Sequence, residues 1–181
     1  IDYYGNWKAL HYAVKEVFAP LALSLSLDKN NLLQVSAMSE LAYAIDDTLE
    51  ISIYNLDGLL LSTSLEGVSI QANTSTDLKS LSNFSEHQIV IARLVDNKTS
   101  SKELLTSLPK ECNFKSPNIE FSWHGDTLAL STDVAAHQLY LHNVQGHFSD
   151  NFFTLLPHTE KRIIFKGKES EKNKLLIWSL Y

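Results

Sequence analysis

The strongest constraint on this chain is a change of hydrophobic period at Pro20. In the LALSLSL that follows, Leu21, Leu23, Leu25 and Leu27 fall on one side and Ser24 and Ser26 on the other. A repeat of two is that of a strand with one buried face. LLQVSAM repeats it through Leu33, Val35 and Ala37 after a DKNN turn, and LEISIYN through Leu49, Ile51 and Ile53. Asp57-Gly58, a pair suited to a tight hairpin, leads into LLLSTSL, and VSIQAN, HQIVIARLVD and ELLTSL supply further strands. Short strands separated by turn signals, each with one apolar face, predict an antiparallel sandwich.

The run LPKECNFKSPN at 108–118 carries two prolines, mixed charge and no period, so it reads as a linker. Alternation restarts in IEFSW, with Ile119, Phe121 and Trp123 in phase, followed by an HGD turn and DTLALSTD. QLYLHN, FFTLL, RIIFK and LLIWSLY complete a second, smaller β set. Trp123 and Trp178 share the phase of their apolar neighbours and are expected in the core. Phe148, Phe152 and Phe153, around the SDN turn, are expected to plug a sandwich end. The mixed-sign KGKESEKNK at 166–174 is expected as a solvated hairpin tip.

Before Pro20 the period is helical. Trp7, Leu10, Val14, Val17 and Phe18 recur at spacings of three and four, opposite Lys8, Lys15 and Glu16. Asn6 is a suitable N-cap, and the pre-proline Ala19 is biased out of the α region, so a helix is expected over about 7–18. The chain thus divides into an amphipathic helix (1–19), a first sandwich (20–110) and a second (111–181).

No chemistry stands out against this background. With 15 Lys+Arg against 21 Asp+Glu, a formal net charge of −6 and no basic run interleaved with aromatics, nothing is patterned for nucleic acid. No stretch approaches the ~20 apolar residues of a membrane helix. Cys112 is single, which leaves no internal disulfide and no CxxC motif. His137, His142 and His147 are spaced by five, and an odd separation puts strand neighbours on opposite faces. With no Cys or carboxylate at ligand spacing beside them, solvent-facing or hydrogen-bonded histidines are expected, and neither metal nor cofactor is. There is no Gly-x-Ser-x-Gly elbow and no glycine-rich phosphate loop. Asp46, Asp47 and Glu50 cluster as a sugar hydrolase's carboxylates would. The first two are expected in a turn and Glu50 facing solvent, without the burial that raises a pKa. Asn-x-Ser/Thr sequons at Asn73, Asn83 and Asn97 are what chance gives in a chain this rich in Asn, Ser and Thr. Tyr54 and Tyr140 fall in the outward phase and are the candidate sugar-contacting rings. No catalytic residue is nominated.

The two ends carry a resemblance. The motif formed by Asp2, Tyr3, Tyr4, Gly5, Lys8, Ala9, Leu10 and Tyr12, with Ala19-Pro20 after it, resembles the segment that closes the catalytic barrel of glycoside hydrolase family 2 exo-β-mannosidases. Asn151, Phe153, Leu155 and Pro157 resemble that family's C-terminal Asn-x-Phe-x-Leu-x-Pro signature. Where the family commonly has Gly after this proline the chain has His158, which does not favour a φ > 0 turn.

The resemblance implies an all-β fold: two immunoglobulin-like antiparallel β-sandwiches in tandem, preceded by the last barrel helix. It implies that the general acid/base and nucleophile glutamates of the parent lie upstream of Ile1, since no residue here matches either. The chain would be a non-catalytic accessory region of an enzyme that hydrolyses terminal non-reducing β-D-mannose residues with retention. Its partner would be the upstream barrel, and the parent would be periplasmic or secreted, or lysosomal in a eukaryote. A carbohydrate-binding module without hydrolysis is the alternative, and a surface-display sandwich a third class. Trp7, Leu10, Val14 and Val17 are the interface candidates: the stripe is expected to face the barrel, or to associate with a second copy where the barrel is absent.

Overall fold

A computed structural model describes residues 6–30, 32–82, 84–97 and 101–181. Asp2, Tyr3, Tyr4, Gly5 and the sequon at Asn83 lie outside the described residues. The chain forms two compact units, Val17–Cys112 and a second that joins the N-terminal helix to Asn113–Tyr181.

The first unit holds β1 (Leu21–Leu27), β2 (Leu33–Ser39), β3 (Ile45–Asn55), β4 (Leu60–Ile70), β5 (Thr74–Leu81), β6 (Gln88–Leu94) and β7 (Ser101–Leu105). They build two antiparallel sheets, ordered β1-β2-β5 and β4-β3-β6-β7. Register follows the period-two pattern: β1 and β2 pair from Leu21↔Ser39 to Leu27↔Leu33, which keeps Leu23 opposite Ala37 and Leu25 opposite Val35. A slip of one residue would turn the whole set to solvent. Leu23, Leu33, Val35 and Ala37 from one sheet meet Leu49, Ile51, Val90, Ala92 and Leu94 from the other. Burying each of the larger side chains contributes about 1.5–3 kcal/mol.

Two readings of this unit are corrected. VSIQAN is no separate strand: β4 runs unbroken to Ile70, and a bulge between Ile53 and Tyr54 adjusts its pairing with β3. The strand missed is β5, whose TSTDLKSL lacks apolar alternation because it is an edge half-exposed on both sides. Asp46 and Asp47 lie within β3, not in a turn, and Asp47 is buried.

The second unit contains α1 (Ala9–Val17) as far as Glu16, β8 (Ile119–His124), β9 (Thr127–Thr132), β10 (Ala136–His142), β11 (Gly146–Phe148), β12 (Phe153–Leu155), β13 (Lys161–Gly167) and β14 (Leu176–Leu180). The sheets are β11-β13-β9-β8 and β12-β10-β14. Leu128, Leu130, Ile163 and Phe165 pack between them against Leu139, Leu141, Phe153 and Leu155. The three-residue β11 was not legible in GHF, too short to show a period. It is closed at one end by Gly146, whose φ of 151° and 2.6 Å clearance from the Lys166 carbonyl leave no room for a Cβ.

The expected solvated tip is instead a 3-10 helix, Glu169–Lys174, with Glu171 and Lys172 buried. Lys172 Nζ donates to the Gly125 carbonyl at 2.7 Å and to Asp126 and Glu169, and lies 5.3 Å from the Trp123 ring centroid. Each buried charge has its partners, which is what allows burial. Trp123 borders the core as expected. Trp178 does not: Leu176, Trp178 and Leu180 face outward and Ile177 packs inward. LLIWSLY is apolar in both phases, so its period could not choose a face. After Pro157, His158 adopts φ 58°, so the left-handed turn forms with a residue other than glycine.

Candidate functional site

The outer face of sheet β12-β10-β14 is aromatic, and α1 docks on one end of it. Phe152 precedes β12 with φ 61°, a conformation that turns its ring out of the core. That ring stacks on Tyr140 at 4.6 Å and 18°, and Tyr140 stacks in turn on His142 at 4.7 Å and 12°. Trp178 stands edge-on to His142. At the other end Tyr12, the buried residue of α1, leans on Phe152 at 5.9 Å, while Trp7 stacks on His147 of β11 at 4.2 Å. Lys15 Nζ donates to the Ser149 carbonyl at 2.7 Å.

Asn151 anchors this end. Its Oδ1 accepts from the Leu141 and Phe152 amides, and its Nδ2 donates to the Leu141 carbonyl at 2.9 Å. The side chain thereby fills the ladder position next to β12 that a backbone peptide would occupy. Asn151 and the Phe148 backbone also hydrogen-bond the Tyr12 hydroxyl, yet burial prevails and pushes that phenol's pKa above its ordinary value.

Beside these rings lies a cleft of about 320 Å³, bordered by Trp7, Tyr140, His142, Asn143, Glu171 and Lys174. Its charges are committed to structure. Glu171 accepts from Lys174 Nζ at 2.8 Å and from the Gln145 amide at 3.0 Å. The Lys174 bond first, then the amide, hold its pKa below the ordinary carboxylate value against the opposing effect of burial. Burial lowers the pKa of His142, whose Nε2 has no partner. It also lowers that of His147, helped by the nearby Lys166 and His11.

In the first unit Asp47 is the buried carboxylate. Burial works to raise its pKa, but Asn97 Nδ2 and the Asp96, Thr48 and Asn97 amides outweigh it, and the net shift is downward. Glu50 pairs with Arg93 at 2.8 Å. Asp47 is thus not kept protonated for acid catalysis.

The candidate residues distribute unevenly. Leu10 is 72% exposed and Val17 55%, with Val14 also exposed, whereas Trp7 is half-buried between rings. The open stripe is therefore Leu10, Val14 and Val17. Tyr140 is half-buried with one ring stacked on it from His142 and another from Phe152, and Tyr54 is half-buried on the outer face of β3. His137 is buried and His142 and His147 are half-buried, each beside an aromatic ring, and no group of three metal-ligating side chains occurs among the described residues. Sequence reasoning missed Tyr12 and Phe152 as docking residues. The helical period placed Tyr12 off the apolar stripe, and nothing local reveals a positive φ at a phenylalanine.

Residues 31–110 match the family model described as a mannosidase Ig/CBM-like domain, and residues 114–181 match a mannosidase Ig-fold domain. The chain is thus similar, domain by domain, to the immunoglobulin-like domains of β-mannosidases. It corresponds to the C-terminal immunoglobulin-like region of a family 2 mannosidase, an all-β pair of sandwiches. Curated relatives include β-mannosidase A of Neosartorya fischeri, 23% identical over 93% of this chain, and that of Emericella nidulans, 21% identical over 98%. This chain spans 21% and 22% of their lengths. Among solved structures, the β-D-mannosidase of Dictyoglomus thermophilum superposes with TM-score 0.82 at 20% identity, over 99% of this chain and 24% of that one. The exo-chitosanase of Amycolatopsis orientalis gives 0.65 at 15% identity, over 99% and 28%. At such identities the likeness is one of fold.

Proposed function

We propose that this chain is a non-catalytic accessory region of a β-mannosidase, and that α1 is the surface through which it joins the catalytic body. The parent would hydrolyse terminal non-reducing β-D-mannose residues with retention of configuration. The observation that carries the reading is the division of labour on α1. Tyr12 and Trp7 hold the helix on the second sandwich, while Leu10, Val14 and Val17 are left as an apolar stripe. Such a stripe on a short helix calls for a covering surface, and relatives several times longer supply chain enough to cover it. The buried carboxylates support the non-catalytic part. Asp47 and Glu171 are both drawn below their ordinary pKa by structural donors, whereas a glycosidase's general acid must be raised.

The test is turnover of an aryl β-mannoside by the purified chain. None is expected, and any turnover that survives repurification overturns the reading. Carbohydrate binding without hydrolysis is the competing reading, and ring geometry counts against it at Tyr140. A sugar stacks on a free aromatic face, and His142 and Phe152 already stack there. Calorimetric titration with mannose and manno-oligosaccharides is expected to give no binding heat.

A further inference from the structure

We propose that β14 is a homodimerisation edge, pairing antiparallel with β14 of a second copy about a two-fold axis at Trp178. The argument starts from the edges of the second sandwich. β11 and β12 are each three residues long, and β8 carries Glu120 and His124, features that discourage strand addition. β14 has no such guard. Its LIWSL contains neither charge nor proline, it hydrogen-bonds β10 on one side, and among the described residues no strand pairs with its other side.

Its outward side chains are apolar and open: Trp178 is 62% exposed, Leu176 48% and Leu180 41%. They border a groove of about 660 Å³ that runs to Pro117 and Phe121 at the β8 edge, with no charged side chain in its lining. A charged partner finds no side chain of opposite charge there, while an apolar strand has both a free ladder and a matching face.

The pattern selects a second copy as that strand. Antiparallel pairing centred on Trp178 sets Leu176 opposite Leu180, Trp178 opposite Trp178 and Leu180 opposite Leu176. The outer face is thus filled with like apolar pairs, and no charge is brought opposite another. Such self-complementarity is what an isologous two-fold interface requires. Sheet β12-β10-β14 would continue across the axis. Taking ~150–250 Å² per large aromatic, the exposed parts of Trp178, Phe121, Leu176 and Leu180 offer roughly 350–400 Å² per copy. With the paired backbones, the two copies together reach about 1,000 Å², where specific interfaces begin.

The inference stands apart from the mannosidase reading, and the helix stripe serves as its control. Sedimentation velocity of the chain across a concentration series is expected to show a monomer–dimer equilibrium. Trp178→Lys should leave a monomer with unchanged circular dichroism, and Leu10→Glu with Val14→Glu should leave the dimer intact. Trp178→Cys in a Cys112→Ser background should form an intermolecular disulfide on mild oxidation, because only a residue on the axis meets its own copy. This readout still decides the matter should Trp178→Lys misfold. A chain monomeric throughout overturns the proposal. So does a dimer that the helix substitutions dissolve and Trp178→Lys does not, or a Cys at 178 that fails to cross-link.

Discussion

Replacing Asn151 tests whether a side chain, rather than backbone, completes the β10 ladder. In Asn151→Ala, the Leu141 amide and carbonyl both lose their partner on that side in a buried strand, and the Tyr12 hydroxyl loses one of its two. An unsatisfied buried backbone group costs about 1–3 kcal/mol, so two of them cost roughly 2–6 kcal/mol. For a domain of this size each kcal/mol lowers Tm by about 4–8 °C, which gives a drop of at least roughly 8 °C. The measurement is confined to the right unit by the chain itself: Trp7, Trp123 and Trp178 are its three tryptophans, and all belong to the second unit. Tryptophan fluorescence during urea unfolding therefore follows this unit alone.

Asn151→Asp sharpens the test. An ionised carboxylate keeps the acceptor for the Leu141 amide but sets an oxygen where Nδ2 faced the Leu141 carbonyl. The repulsion raises its folded pKa above the ordinary ~3.9 of Asp. In the interval between the two pKa values the folded state binds the extra proton, so stability relative to the wild type falls as pH rises and recovers as pH falls. The protonated acid donates as the amide did. A loss below about 1 kcal/mol for Asn151→Ala, against the 1–3 kcal/mol of a single orphaned group, would refute the ladder argument. So would a stability difference for Asn151→Asp that stays flat from neutral to mildly acid pH.

Two further substitutions probe other parts of the fold. Asp47 has a depressed pKa, so its contribution is present above the ordinary carboxylate range and is lost as pH falls through the folded value. Asp47→Asn should destabilise the first unit at neutral pH and flatten its acid-unfolding limb, followed by amide exchange in β3 and β6. Gly146→Ala sets a Cβ 2.6 Å from the Lys166 carbonyl at φ 151°. It should cost at least about 1–3 kcal/mol, read by the same tryptophan transition.

Strands were legible where one face alone is apolar, as in β1, β2 and β3, because period two then fixes both type and orientation. Legibility failed in two physical situations. In β14 both faces are apolar, so Leu176, Trp178 and Leu180 were placed inside when they lie outside. In β5 and the Glu169–Lys174 helix the stabilising partners are distant in sequence: Lys79 meets Glu66, and Lys172 meets Asp126 and Gly125. A local window sees only polar residues in the helix and mostly polar ones in β5. The site failed for the same reason. The ring contacts that dock α1 join Trp7 to His147 and Tyr12 to Phe152 across the whole intervening sandwich.

That separation has a consequence for how the chain folds. A nine-residue helix is marginal by itself in water, because nucleation costs more than so few hydrogen bonds return. Its stability must come from docking, and the docking residues lie on β11, before β12 and in the turn at Ser149. Forming α1 therefore waits on the second sandwich, whereas the first closes on contacts of its own. Hydrogen exchange should show α1 amides protected together with the Leu141–Asn151 bonds and lost together with them in Asn151→Ala, while β1 and β2 stay protected. If α1 kept its protection in that variant, it would draw its stability from somewhere other than the ring contacts on the second sandwich.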